Sequence, residues 1–111
     1  MRNFIFILMF LTSFTFLQAQ NIQKQLKVKG NCEMCKSRIE KALDQKGIKK
    51  ATWNKKSGLL IVIFDSSKMT IEKINTLVND AGYDTNLSNA PDEKYLLLPE
   101  CCRYRTGTCD H

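Results

Sequence analysis

Five cysteines in a chain of 111 residues are the groups best suited to chemistry in this sequence. Two of them, Cys32 and Cys35, are separated by two residues, so both sulfurs can approach one point. Paired thiolates bind soft metal ions, and they also act as redox nucleophiles. The single histidine is the terminal His111, and the sequence shows no serine, histidine and acid arrangement typical of a hydrolase. These observations predict a binding protein rather than an enzyme.

The Cys-x-x-Cys motif lies where a predicted strand meets a predicted helix. Apolar residues alternate with lysines over 23–29, which is typical of a half-buried strand. Residues 33–46 have helical periodicity, so Cys35 falls in the first helical turn. Unpaired backbone N–H groups and the helix dipole favour thiolates at such a turn, and Lys36 and Arg38 act in the same direction.

The remaining pattern predicts a single small domain, since the length leaves no room for a second full domain. Two further strands, over 48–56 and 59–64, are joined by a tight turn. A second helix, capped by Thr70, follows over 71–81, and a short final strand over 83–87. The order β-α-β-β-α-β indicates the α+β class, as a ferredoxin-like sandwich with a C-terminal extension.

The metal loop carries a family resemblance. The segment Val28-Lys29-Gly30-Asn31-Cys32-Glu33-Met34-Cys35-Lys36, with Ala81-Gly82-Tyr83-Asp84 later, resembles the heavy-metal-associated domain over roughly residues 24–87. That family includes soft-metal chaperones, modules of copper-pumping ATPases and an exported mercury-binding protein. The resemblance implies a ferredoxin-like fold that holds one metal ion between the sulfurs of Cys32 and Cys35, in a domain that we place at residues 20–87.

The loop departs from the family pattern, which reads Gly-Met-Thr/His-Cys. Here Asn31 alone separates Gly30 from Cys32, so the loop is one residue shorter and the methionine that normally packs beneath the site is missing. Met34 either substitutes for that methionine or is exposed. Tyr83 falls where many bacterial copper chaperones carry a tyrosine near the metal loop, and it either lies beside the ligands or simply covers the end of the second helix.

The resemblance favours Cu(I) as the bound ion, with Hg(II) and Zn(II) as alternatives. Soft thiolates and low coordination suit Cu(I) or Hg(II), whereas Zn(II) prefers four ligands. Zinc-preferring relatives often carry an acidic residue before the first cysteine, where this chain has the neutral Asn31. A thiol–disulfide redox module is the rival interpretation, but the only prolines, Pro91 and Pro99, lie outside the predicted domain.

Residues 88–111 form a polar linker and a cysteine-rich tail. Three arrangements are open for the tail. Cys101 or Cys102 pairs with Cys109 in a disulfide; or Cys101, Cys102, Cys109 and His111 form a second soft-metal site; or the tail folds back to share a site with Cys32 and Cys35. We also expect residues 95–98 to cover the open apolar face of the sheet.

The first 19 residues are typical of a signal peptide. They combine a positive start, an apolar run over 4–17 and a return to polar composition at Gln18-Ala19-Gln20. The apolar run is shorter than the roughly 20 residues that span a bilayer. We therefore expect cleavage after Ala19, export to the periplasm or the extracellular space, and no stable membrane anchor after cleavage.

A net charge of +6 raises the question of an acidic partner. Nucleic acid is not expected, because the strand over 59–64 is aliphatic except for Phe64, whereas RNA-binding modules of this fold display stacking aromatics. Lysines at 27, 29, 49, 50, 55 and 56 form a solvated face instead. The resemblance implies that this face docks a metal acceptor, such as a metal-transporting membrane protein.

Overall fold

The computed structural model describes residues 20–106, so the predicted leader and the residues Cys109 and His111 lie outside the described part. The strands are β1 (Asn21–Lys27), β2 (Ile48–Trp53) and β3 (Leu59–Asp65). The helices are α1 (Glu33–Ala42), α2 (Ile71–Asp80) and the short α3 (Asp92–Tyr95), followed by a 3₁₀ turn (Glu100–Cys102). Within residues 20–106, no helix has the length and apolar character needed to cross a bilayer.

A three-stranded antiparallel sheet forms the base of the domain. The strand order is β1-β3-β2, with Leu26 opposite Leu60 on one side of β3 and Trp53 opposite Leu60 on the other. Alternate residues of β3 are buried against the helices, namely Leu60, Val62 and Phe64. This arrangement confirms the α+β, ferredoxin-like class predicted from the order of elements.

The two long helices begin at the residues that the sequence indicates. Cys32 is the N-cap of α1, and its sulfur accepts the backbone N–H of Cys35 at 3.4 Å. Thr70 is the N-cap of α2, and its hydroxyl accepts the N–H of Lys73. Gly82 follows the C-cap of α2 with a φ of 101°, a conformation that a residue without a Cβ adopts at little cost.

The first helix and the second strand are shorter than predicted. Helix α1 ends at Ala42 rather than at 46, because the amides of Asp44 and Gln45 bond in tight turns to Lys41 and Leu43. Strand β2 ends at Trp53 rather than at 56. Beyond it the side-chain oxygen of Asn54 accepts the backbone N–H groups of Lys56 and Ser57 in a local turn, which ends the pairing with β3.

The predicted final strand over 83–87 is wrong, because it is reduced to a single bridge between Val28 and Thr85. The hydroxyl of Thr85 accepts the N–H groups of Leu87 and Ser88 and closes a turn. Side chains of this type offer the backbone an alternative to a sheet ladder. The segment still lies beside β1, where the amide of Asn86 bonds to the carbonyl of Lys27.

The tail does not cover the open face of the sheet, so that prediction is also wrong. Ile61 on that face remains 37% exposed, whereas Tyr95 and Leu98 are buried in the main core. Leu98 packs onto Gly82, where its side-chain carbons lie 3.0 Å from the position that a Cβ would occupy. The tail therefore packs against Gly82 at the end of α2, where no side chain is in the way. This contact with the core replaces the expected contact with the open face of the sheet.

Polar contacts of Arg105 hold the tail in place. Its guanidinium donates to both carboxylate oxygens of Asp84, at 2.7 and 3.0 Å, and to Asp92 at 2.9 Å. It also lies 4.3 Å above the ring centroid of Tyr95. The hydroxyl of Tyr104 adds a second link, since it accepts the N–H of Asp84 and donates to the carbonyl of Gly82.

Replacing Arg105 with alanine is expected to destabilise the protein by about 2 kcal/mol at pH 7, because the nearly buried Asp84 loses its partner while Arg105 itself is partly exposed. Burial alone would raise the pKa of Asp84, but the hydrogen bonds from Arg105 and from the Ala90 N–H hold it below its ordinary value. The stabilisation is therefore complete above about pH 4 and is lost as the pH falls through the lowered pKa.

Urea unfolding at pH 7 and at pH 3 measures this effect, with Arg103→Ala as the matched control. Among residues 20–106, the side chain of Arg103 forms one hydrogen bond, to the Leu98 carbonyl at 3.4 Å, and its loss should lower the free energy of unfolding much less. We expect the difference in the free energy of unfolding between wild type and Arg105→Ala to be smaller at pH 3 than at pH 7. Equal losses for the two arginine variants, or a gap independent of pH, would contradict the assignment of Arg105 as the anchor.

Candidate metal centre

Three sulfur atoms meet where β1 passes into α1. The Sγ atoms of Cys32 and Cys35 lie 3.2 Å apart, and that of Cys102 lies 3.7 Å from Cys32. All three sulfurs are within 4.8 Å of one another, and all three residues are buried. Of the arrangements left open by the sequence, the structure shows the tail folded back onto the Cys-x-x-Cys motif. The other two involve Cys109, which lies outside the described residues.

The local backbone favours negative charge on Cys32. As the N-cap of α1, its sulfur receives the N–H of Cys35. Burial alone would raise the pKa of the Cys32 thiol, but hydrogen bonds from Cys35, Cys102 and the backbone lower it overall. Burial raises the pKa of Cys102, so this thiol holds its proton more firmly than Cys32 does. Thiolate character is thus greater at the N-cap than at the tail.

Asn31 closes the shortened loop over the second cysteine. The Sγ of Cys35 donates to the side-chain oxygen of Asn31 at 3.1 Å. The Asn31 side-chain nitrogen is buried and forms no hydrogen bond within the described part of the chain. Asn31 therefore orients the thiol of Cys35 through its amide, a role that the loop pattern did not reveal.

Trp53 fills the space beneath the metal loop. Its ring carbons lie 2.9 Å from the position that a Cβ on Gly30 would occupy, and its indole N–H donates to the Val28 carbonyl at 3.0 Å. Its backbone N–H donates to Glu40 of α1 at 2.9 Å. The only signal for this role in the sequence was a single tryptophan on an inward position of β2.

Met34 does not take the place of the missing methionine. Its side chain is 51% exposed, and its sulfur lies 3.3 Å from the Sγ of Cys101. Cys101 is half-buried and lies outside the cluster of three sulfurs, with its own Sγ 3.9 Å from that of Cys102. A groove reaches the surface here, lined by Cys32, Glu33, Met34, Lys55 and Cys101. Met34 and Cys101 thus flank the entrance to the site.

Tyr83 lies beside the sulfurs and is fully buried. Its ring stacks on that of Tyr104, with centroids 5.7 Å apart. Burial raises the pKa of its hydroxyl, and the neighbouring sulfurs of Cys35 and Cys102 raise it further. This hydroxyl forms no hydrogen bond among residues 20–106, so its proton is available to a thiolate sulfur.

The sheet, the two helices and the cysteine loop define a class of small metal-binding domain. The chain belongs to the heavy-metal-associated domain family, whose model matches residues 25–84. This finding confirms the family to which the residues of the loop pointed. It also supports the non-enzymatic class, although the ligands themselves remain a prediction.

Within that family the chain is similar to copper chaperones and to MerP. The copper chaperone CopZ of Staphylococcus aureus is 36% identical over 64 residues, which are 56% of this chain and 94% of the relative. A solved CopZ metallochaperone has a TM-score of 0.56 at 35% identity, covering 58% of this chain and 98% of that one. Oxidised MerP from Ralstonia metallidurans CH34 has a TM-score of 0.57 at 26% identity, covering 60% of this chain and 96% of that one.

Proposed function

We propose that this protein carries one soft metal ion, Cu(I), bound by the thiolates of Cys32 and Cys35. The observation that carries the proposal is the convergence of the two sulfurs at the N-terminus of α1, 3.2 Å apart. The helix N-terminus stabilises the negative charge that a thiolate ligand needs. The similarity to copper chaperones supports binding and transfer of the ion rather than catalysis.

The donor set supports Cu(I) over Zn(II). Among residues 20–106, the one cluster of three or more cysteine, histidine or acidic side chains consists of sulfur atoms alone. Sulfur donors in low coordination suit Cu(I), whereas a structural Zn(II) site takes four ligands. Hg(II) is an equally soft ion, and the likeness to MerP makes it the second candidate.

The charge of the surface around the site supports transfer of the ion to an acidic partner. A groove beside the metal loop is lined by Lys27, Lys29, Lys55 and Lys56. Complementary charge steers association, so an acidic metal-accepting domain of a transporter would dock at this groove. A transfer rate that is independent of salt concentration would contradict this docking. The signal-peptide pattern of residues 1–19 supports a proposal that the encounter takes place outside the cytoplasm. A protein that retains residues 1–19 in cell fractions would argue against export.

A competition titration of the reduced protein, residues 20–111, tests the identity of the ion. Cu(I) is added against a chromophoric chelator, and the titration is repeated with Zn(II) and Hg(II). We expect one Cu(I) per chain, bound far more tightly than Zn(II), because the site offers thiolates without oxygen or nitrogen ligands. Zn(II) binding as tightly as Cu(I), or no Cu(I) binding at all, would overturn the proposal.

One observation favours a thiol–disulfide redox function as the second candidate. The Cys32 thiol has a lowered pKa and lies in contact with the Cys35 sulfur, as in an attacking thiol with its resolving partner. The Cys102 sulfur within the same cluster favours metal binding instead, since a redox pair needs only two cysteines. Reduction of insulin by this protein at a rate above the background of free dithiol would favour the redox function.

A further inference from the structure

We propose that Cys102 of the tail is the third ligand of the metal ion, so that the tail converts an open two-cysteine loop into a closed three-thiolate site. This inference rests on the proposed function, because it assumes that Cys32 and Cys35 bind the ion. It goes beyond that function by assigning a ligand from outside the matched domain, which ends at residue 84.

The spacing of the sulfurs matches a three-coordinate ion. A metal–thiolate bond of about 2.3 Å places the sulfurs of a planar trigonal site about 4.0 Å apart, and those of a linear site about 4.6 Å apart. The observed separations are 3.2 Å for Cys32 and Cys35 and 3.7 Å for Cys32 and Cys102, and the third is at most 4.8 Å. Small side-chain rotations therefore produce a trigonal site, whereas a linear site requires the first pair to open by more than 1 Å.

The tail presents Cys102 from a supported position. Its backbone N–H donates to the Pro99 carbonyl at 2.8 Å, and its carbonyl accepts the N–H of Tyr104 at 2.9 Å. Tyr104 is in turn fixed to Gly82 and stacks on Tyr83. Cys102 is fully buried against the motif, so little ordering of the chain is needed when an ion binds.

Cys101 does not compete for this role. Adjacent cysteines cannot readily direct both sulfurs at one ion. The Sγ of Cys101 lies 3.9 Å from that of Cys102, but it is not among the three sulfurs that all lie within 4.8 Å of one another. The Sγ of Cys101 contacts the exposed sulfur of Met34 at 3.3 Å, outside the cluster of three sulfurs. Cys101 is therefore a second thiol, next to Cys102 in the chain but outside the proposed site, and its replacement is the matched control for the replacement of Cys102.

A third ligand from the tail changes how the ion is exchanged. Cys32, Cys35 and Cys102 together are almost inaccessible to solvent, so an ion between them is held away from competing ligands. Release then requires an incoming thiolate to replace the Cys102 sulfur before the ion leaves the motif. The tail thereby favours retention of the metal and makes its release slower than from an open two-cysteine loop.

The test compares Cys102→Ala with Cys101→Ala in the reduced protein, residues 20–111, loaded with one Cu(I). Copper X-ray absorption counts the sulfur neighbours, and capture of the ion by a chromophoric chelator gives the rate of release. We expect three sulfurs for wild type and Cys101→Ala, and two with shorter bonds for Cys102→Ala. We also expect Cys102→Ala to release Cu(I) at least about tenfold faster.

Folding and the proposed function are tested separately in the same experiment. Circular dichroism and thermal unfolding of the apo variants test whether Cys102→Ala is folded. Arg105→Ala keeps every cysteine but weakens the docking of the tail, so it should also accelerate the release of Cu(I). Two sulfurs in the folded wild type, or no acceleration in either variant, would overturn the third ligand while leaving the two-cysteine site intact. Cu(I) binding that survives loss of both Cys32 and Cys35 would overturn the proposed function instead.

Discussion

Replacing both Cys32 and Cys35 with serine is expected to weaken Cu(I) binding by at least about 1,000-fold, since even residues that only support metal ligands contribute 10–100-fold each. A serine hydroxyl keeps the size and the capping ability of cysteine, because it can accept the N–H of residue 35 as the Cys32 sulfur does. It is a hard donor that Cu(I) binds poorly. The loss is therefore chemical rather than structural, and the competition titration measures it.

Two controls separate the motif from the tail. Cys101→Ser removes a half-buried thiol outside the cluster and should leave the affinity unchanged. The single variant Cys32→Ser removes the thiol with the lowered pKa and should bind more weakly than wild type, but more tightly than the double variant. Tight one-to-one binding by the double variant would place the metal on the tail cysteines, and the proposed function would then be wrong.

Replacing Trp53 with alanine is expected to lower the free energy of unfolding of the apo protein by about 3–5 kcal/mol. The side chain is only 1% exposed and is the largest in the core. It supports the metal loop at Gly30, and its indole N–H satisfies the Val28 carbonyl. Its removal leaves a cavity directly beneath the loop, so we also expect weaker Cu(I) binding. Urea unfolding followed by circular dichroism gives the stability change.

Trp53→Phe is the matched control for the tryptophan. The phenyl ring retains much of the apolar contact and loses the bond to the Val28 carbonyl, which should cost about 1–2 kcal/mol. Leu77→Ala provides a second reference, because this partly buried residue of α2 lines neither groove at the metal loop and should not affect Cu(I) binding. If Trp53→Ala lost no more stability than Trp53→Phe, the support of the loop by this ring would be refuted.

Local pattern was sufficient for the elements that present the motif. The alternation in β1 and the helical spacing after Glu33 act between residues close in sequence, and the turn at the motif follows from them. The N-caps of α1 and α2 are likewise local, because each cap side chain accepts the backbone N–H of the residue three positions later. Local pattern was insufficient where side chains competed for the backbone, as at Thr85, where the last strand is replaced by a turn.

The sequence by itself therefore determined the family, the ferredoxin-like order of elements and the two cysteines proposed to bind the metal. Only the tertiary structure decided which partners surround those cysteines. Cys102 meets Cys32 across 70 residues, and Trp53 reaches Val28 across 25. Contacts of this kind leave no periodicity in the chain, because they depend on a tail docking against the bare backbone of Gly82 and on the volume left beneath a shortened loop.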